Sequence, residues 1–95
     1  MNEVLVNSEK SRFELDVDGT LAVIEFEKIE PNILDLIHTL VPEELGGKGV
    51  GSKLVSGALQ YCKDNNLLII PSCSFVKSYI DKHPAWKALV APKNS

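Results

Sequence analysis

From Arg12 to Val17 the chain reads RFELDV, with Phe13, Leu15 and Val17 at every second position. That is the period of a strand with one buried face. Asp18-Gly19 follows, a dipeptide suited to a tight hairpin turn because both of its positions accept positive φ. Alternation resumes in VIEFEKI, within Thr20 to Ile29, so the first two strands are expected to pair antiparallel. Glu30-Pro31-Asn32 reads as a second turn. ILDLIHTLV, Ile33 to Val41, is apolar and β-branched enough for a third, more central strand, stopped by Pro42.

After Gly49 the period changes. Val50, Leu54, Val55, Ala58, Leu59 and Cys62 fall on one face of an amphipathic helix. The helix is expected to end at Asp64 to Asn66, where asparagine tolerates a left-handed cap. Leu67 to Ile70, LLII, predicts a short strand buried on both faces, broken by Pro71-Ser72-Cys73-Ser74. A second helix fits Phe75, Val76, Tyr79 and Ile80 with Ser74 as N-cap, and Pro84 opens a last turn through Val90. The order is β-β-β-α-β-α, an α+β layout with a partly antiparallel sheet. One domain is expected over residues 1–95, loosely ordered at 1–10 and 92–95.

Composition narrows the chemistry. A chain of 95 residues with a net charge of -3 lacks the basic excess of a nucleic-acid binder, so any anion site must be local. No apolar run approaches the ~20 residues that span a membrane, and Met1 to Lys10 lacks the features of a signal peptide. Cys62 and Cys73 are too few for a disulfide framework and lack metal-ligand spacing. The expectation is a cytoplasmic protein with reduced thiols, no metal, no membrane or nucleic-acid partner, and a monomeric or weakly dimeric state.

PEELGGKGVGSKL, Pro42 to Leu54, holds four of the six glycines and sits between the third strand and the first helix. Gly46 and Gly51 have the separation of a Walker loop, yet Ser52 precedes Lys53 where that loop needs lysine first. The reversal turns the lysine about 100° around the helix axis. Gly47 and Gly49 begin a G-x-G-x-x-G fingerprint that fails at Ser52. What survives is the physics common to such loops: bare backbone that approaches a ligand closely, and a helix N-terminus whose unpaired N–H groups favour phosphate. Lys48 and Lys53 add local positive charge. The alternative is a purely structural connection between strand and helix.

ELGGKGVGSKLV also resembles motif A of the GNAT superfamily of acetyl-CoA-dependent N-acyltransferases, Q/R-x-x-G-x-G/A, with Gly49 and Gly51 on its glycines. HTLVPEELGGKGVGSKLV together with PSCSFVKSYIDKHPAW is similar to a small GNAT-like family of about this length. There the patterns H-T-x-V-P-x-E-L and P-x-C-x-F-x-x-x-Y-I-x-x-H-P recur. The resemblance runs from Arg12 to Val90. Two positions depart from it. Gly46 stands where the motif has Arg or Gln, which shifts cofactor binding toward backbone N–H groups. Leu40 stands where members of the small family often have Glu, which removes a candidate base.

The resemblance implies a minimal GNAT fold, a mostly antiparallel sheet whose last two strands run parallel and splay around an acetyl-CoA cleft. It implies that the backbone of Leu40 and Val41 pairs with the pantetheine arm as an added strand would. Gly46, Gly47, Lys48, Gly49, Val50, Gly51 and Ser52 would cradle the pyrophosphate. Transfer of an acetyl group to an amine needs a base, a donor for the oxyanion and an acid for the departing thiolate. Cys73, just past a strand and beside a helix start, is expected either to carry acetyl, to protonate CoA or simply to line the cleft. Tyr79 resembles the family's thiolate-protonating tyrosine, with core packing as the alternative. His38 is a candidate base or a hydrogen-bonded strand histidine. Cys62 is expected in the core, His83 at a helix end or cofactor rim, and Glu43 and Glu44 in a solvated turn.

The leading expectation is an acetyl-CoA-dependent N-acetyltransferase acting on an amine of a small molecule or a protein. The alternative from another class is a non-catalytic CoA or acyl-CoA-binding module. The absence of the superfamily's usual helices ahead of motif A favours that alternative, and implies an open acceptor side. A protein-interaction domain with a purely structural loop is the third reading.

Overall fold

Asp18 and Gly19 both take positive φ, 53° and 88°. The hairpin turn therefore forms where the dipeptide predicts it, and the Gly19 N–H donates to Asp16 Oδ1 at 2.7 Å. In the computed structural model, which describes residues 3–47 and 49–92, this turn joins β2 (Arg12–Val17) to β3 (Thr20–Glu30). Their register sets Phe13 opposite Ile24 and Leu15 opposite Ala22, all buried. β4 (Ile33–Leu40) pairs antiparallel with β3, and β5 (Leu68–Ile70) pairs parallel with β4. With β1 (Leu5–Asn7) on the outside of β2, the sheet order is β1-β2-β3-β4-β5.

Among the described residues, helices cover one face of this sheet. The residues that α1 (Val50–Asp64) buries are Val50, Leu54, Val55, Ala58, Leu59 and Cys62, the apolar stripe read from the sequence. They form one core with Phe13, Leu15, Ile24, Leu34, Leu36 and Ile69 from the strands and with Val76 and Ile80 from α2 (Ser74–Lys82). α1 ends as its asparagines predict: Asn66 takes φ of 56°, and the Leu67 N–H reaches back to the Cys62 carbonyl at 2.8 Å. By alternation the other face of the sheet displays Arg12, Glu14 and Asp16 from β2, Leu21, Val23 and Glu25 from β3, and Asp35, His38 and Leu40 from β4.

Three local expectations are corrected. Of residues 1–10, expected to be loose, Leu5–Asn7 form β1, and Val4 beside it seats its side chain on α1 where a Cβ on Gly57 would come within 2.4 Å; residues 1, 2 and 93–95, also expected to be loose, lie outside the described residues. β5 is an edge strand rather than one buried on both faces: Leu68 and Ile70 are half-exposed, and its free side is met only by a bridge from Ile69 to Val90. The N-cap of α2 is Cys73, with Ser74 the first helical residue. The turn opened by Pro84 is a short 3-10 helix, Pro84–Leu89.

Candidate active site

β3 and β4 slip register twice, once beside their turn and once in the middle of the sheet. Phe26 faces Leu36 and Glu25 faces His38, which leaves Ile37 as an extra residue on β4. Such a bulge bends its strand and sharpens the twist. The parallel pairing of β4 with β5 stops at the same level, with Asp35 opposite Ile70. One further rung closes it, the Cys73 N–H donating to the Leu36 carbonyl at 2.8 Å. Past that rung the chain turns into α2 and β4 runs on alone, opening a gap along its edge.

The Thr39 backbone N–H lies on the Cys73 side of β4. Backbone groups of successive strand residues project to alternate sides. Val41 therefore faces the gap with Thr39, whereas Leu40 turns its backbone toward Val23 of β3 and its side chain outward, 53% exposed. Of the expected pair Leu40 and Val41, the second borders the gap, and Thr39 takes the place of the first.

At one end of the gap, Thr39 Oγ1 and Cys73 Sγ lie 3.2 Å apart within hydrogen-bonding reach. Partial burial pushes the Cys73 thiol up, but the Thr39 hydroxyl and the backbone N–H groups of Val76, Phe75 and Thr39 outweigh it, leaving the thiol below its ordinary 9.0. Cys62 has the opposite setting: burial in the core pushes its thiol up to about 12.

At the other end is the glycine loop. Gly47 and Gly49 take φ of 76° and 72°, conformations that cost a side-chain-bearing residue strain, and Gly49 is the N-cap of α1. The first intrahelical bond is Lys53 N–H to the Gly49 carbonyl at 3.0 Å, so the N–H groups of Val50, Gly51 and Ser52 have no partner within the helix. No side chain caps this end and no acidic residue occupies its first turn. The residues here fit a phosphate, with backbone donors, helix dipole and no competing carboxylate. Gly51 lacks a side chain for another reason: a Cβ would lie 2.6 Å from Phe75 Cζ, so this glycine lets α2 approach α1. Gly46 is extended, and its N–H donates to the Glu43 carbonyl at 2.9 Å, closing the 3-10 turn Glu43–Leu45. Lys48 lies outside the described residues.

The other candidates stand apart. His38 is exposed on the open face of the sheet opposite Glu25, while its neighbour Thr39 points to the Cys73 side. Tyr79 packs its ring against the His83 imidazole, centroids 4.3 Å apart, at the far end of α2. Six residues of helix place it about 9 Å along the axis from Cys73. The structure thus joins Cys73 to Thr39, which the sequence reading missed, and brings neither His38 nor Tyr79 into contact with them. Among the described residues no His, Cys, Asp and Glu cluster could hold a metal ion, and no helix is long and apolar enough to cross a membrane.

A mixed sheet whose parallel last pair opens after a bulge, with a glycine-capped helix N-terminus at the mouth, defines the GNAT fold. The family described as GCN5-related N-acetyl-transferase matches residues 12–89, and the chain belongs to it. It is similar to the solution structure of a GCN5-like candidate N-acetyltransferase from Staphylococcus aureus. That match has a TM-score of 0.71 and 32% identity, and covers 97% of this chain and 90% of the other. It is also similar to protein NATD1 of Gallus gallus and of Homo sapiens, each 30% identical over 63 residues, 66% of this chain. The chain covers 57% and 56% of those two proteins, little more than half the length of these curated relatives.

Proposed function

We propose that the chain is an acetyl-CoA-dependent N-acetyltransferase. The observation that carries this reading is the uncapped α1 N-terminus, with Gly47 and Gly49 at positive φ, opening onto the unpaired edge of β4. Acetyl-CoA brings an activated thioester whose acetyl group passes to an amine. The N–H groups of Val50, Gly51 and Ser52 hold its pyrophosphate, with Lys53 and Lys48 adding charge, and the backbone of Thr39 and Val41 receives the pantetheine arm as a strand. Cys73 Sγ and Thr39 Oγ1, at the inner end of the gap, hold the proton that a leaving thiolate requires. His38, exposed on the open face next to Thr39 in the chain, accepts the proton of an incoming amine. Two free cysteines support a cytoplasmic setting.

The second reading, a non-catalytic CoA-binding module, draws support from the separation of His38, on the open face, and Tyr79, at the far end of α2, from Cys73. Calorimetry with acetyl-CoA, followed by a thiol-release assay over a panel of amines, tests both. Acetyl-CoA binding with amine-dependent release of thiol is the expected result. Binding without turnover selects the module, and no binding at millimolar ligand overturns both.

A further inference from the structure

The open face of the sheet carries a pattern of its own. Strand register sorts it into rows running across the sheet: Leu5, Glu14, Val23 and Leu40 in one, and Asn7, Arg12, Glu25 and His38 in the next. Leu21, Val23, Leu40, Val41, Pro42 and Arg12 line a groove of about 390 Å³. Leu21 is 40% exposed and Leu40 53%, so the groove is an apolar strip left in water on a face that no described helix covers.

Beside this strip carboxylates outnumber cations: Glu14, Asp16, Glu25, Glu27 and Asp35 share the face with Arg12. Glu25 has no ion-pair partner among the described residues, and Glu27 and Asp35 stand opposite one another in the next row beyond the bulge. Asp35 Oδ1 is buried without a hydrogen-bond partner. Arg12, the cation of this region, is engaged by Glu14 at 2.6 Å. A buried carboxylate oxygen left unpaired is costly, and a cation arriving at the Glu25 and His38 row would meet a face of net negative charge.

We propose that this face docks an extended, cationic protein segment, with a lysine at the Glu25 and His38 row and a large apolar side chain in the groove around Leu21 and Leu40. This rests on the acetyltransferase reading and names its acceptor class. The two rows are two strand positions apart, about 7 Å. An extended segment covers that distance in two residues, so the acceptor sequence is apolar-x-Lys or Lys-x-apolar. A segment lying on the face places its lysine at the bulge, beside the exposed His38, and its apolar anchor against β3 and β4. Charge complementarity selects a lysine-bearing segment over an acidic or neutral one.

The test uses short lysine peptides that differ only in carrying Leu or Ala two positions from the lysine, with a simple alkylamine as control. With acetyl-CoA, the Leu peptide is expected to show a kcat/KM roughly tenfold above the Ala peptide, the factor that partial burial of one large aliphatic side chain supplies. In Leu21→Ser that preference disappears, while acetyl-CoA binding and alkylamine turnover are unchanged. Equal rates for the two peptides, or a preference that survives Leu21→Ser, would overturn the docking mode and leave the acetyltransferase reading standing. If acetyl-CoA does not bind at all, that reading falls, and docking is judged from the peptide alone. Leu-peptide-induced shifts of the Leu21 and Leu40 methyl resonances would uphold it, and their absence would end it. Sedimentation that shows a dimer dissociated by Leu21→Ser would give the face to a second copy of the chain and overturn the proposal.

Discussion

Cys73 and Cys62 are the same side chain in opposite electrostatic settings. Cys62 is surrounded by core with no donor aimed at it, so its thiol is pushed up to about 12. At Cys73, burial works the same way but loses to the Thr39 hydroxyl and the N–H groups around it, and the thiol lies below its ordinary value. At pH 7.5, iodoacetamide is therefore expected to modify Cys73 at least tenfold faster than Cys62 in the folded protein, because only the thiolate is nucleophilic. Thr39→Val removes the hydroxyl contact at 3.2 Å, and the Cys73 rate should fall several-fold at that pH. Peptide mapping by mass spectrometry reads both rates, and equal labelling of the two cysteines would refute the assignment. The glycine loop offers a second residue-scale contrast. Gly49→Ala forces a side chain into φ of 72° and should cost about 1–2 kcal/mol and most of the acetyl-CoA affinity. Gly46→Ala keeps an allowed backbone and should cost little beyond the approach of its Cβ to the Glu43 carbonyl at 3.1 Å. Equal losses in denaturation and calorimetry would show that φ at Gly49 is not what matters. The cysteine was visible in the sequence by its place after a strand. Thr39 was not, because its role depends on which side of a bulged strand its backbone faces.

At the scale of elements, what was legible is what local chemistry dictates. Asp18-Gly19 sets a hairpin by itself, and the six apolar positions from Val50 to Cys62 set a helix face by period alone. The bulge at Ile37 was hidden inside ILDLIHTLV, an apolar run with no period to break, and it takes its meaning from strands that pair across long stretches of chain. β1 was hidden for a different reason. Leu5–Asn7 is three residues long and is held by pairing to Arg12–Glu14 and by Val4 lodged against Gly57. That last contact is testable. An Ala at position 57 would favour the helix by about 1 kcal/mol on propensity alone. Its Cβ, however, would come 2.4 Å and 2.6 Å from Val4 Cγ2 and Cβ, atoms too near the backbone to swing aside. Gly57→Ala should thus leave α1 intact while detaching the N-terminal segment. Amide exchange at Leu5 and Asn7 should accelerate at least tenfold, with little change in the global denaturation midpoint. Unchanged exchange would mean that the strand pairing alone retains β1.

The molecule as a whole has one core, and Cys62 sits in it with Phe13, Leu54, Leu59 and Ile69. This couples a single proton to global stability. An unfolded thiol ionises near 9.0, whereas the folded one holds its proton up to about 12. Between those values the folded state binds one more proton than the unfolded state, so raising the pH favours unfolding. The contribution is fully present below pH 9 and declines above it by about 1.4 kcal/mol per pH unit. Cys62→Ala lacks this proton and leaves a small cavity that costs about 1 kcal/mol at neutral pH. Every other side chain is common to the two proteins, so its effect cancels in the comparison. Wild type should be the more stable protein at pH 7.5, the two stability curves should meet near pH 10, and Cys62→Ala should be the more stable above that. Urea midpoints measured at half-unit steps from pH 7.5 to about 10.5 decide it. Parallel curves would mean that the thiolate of Cys62 is stabilised inside the fold, by a rearranged core or by admitted water, and that the helix-covered side of the sheet is less tightly sealed than its packing implies.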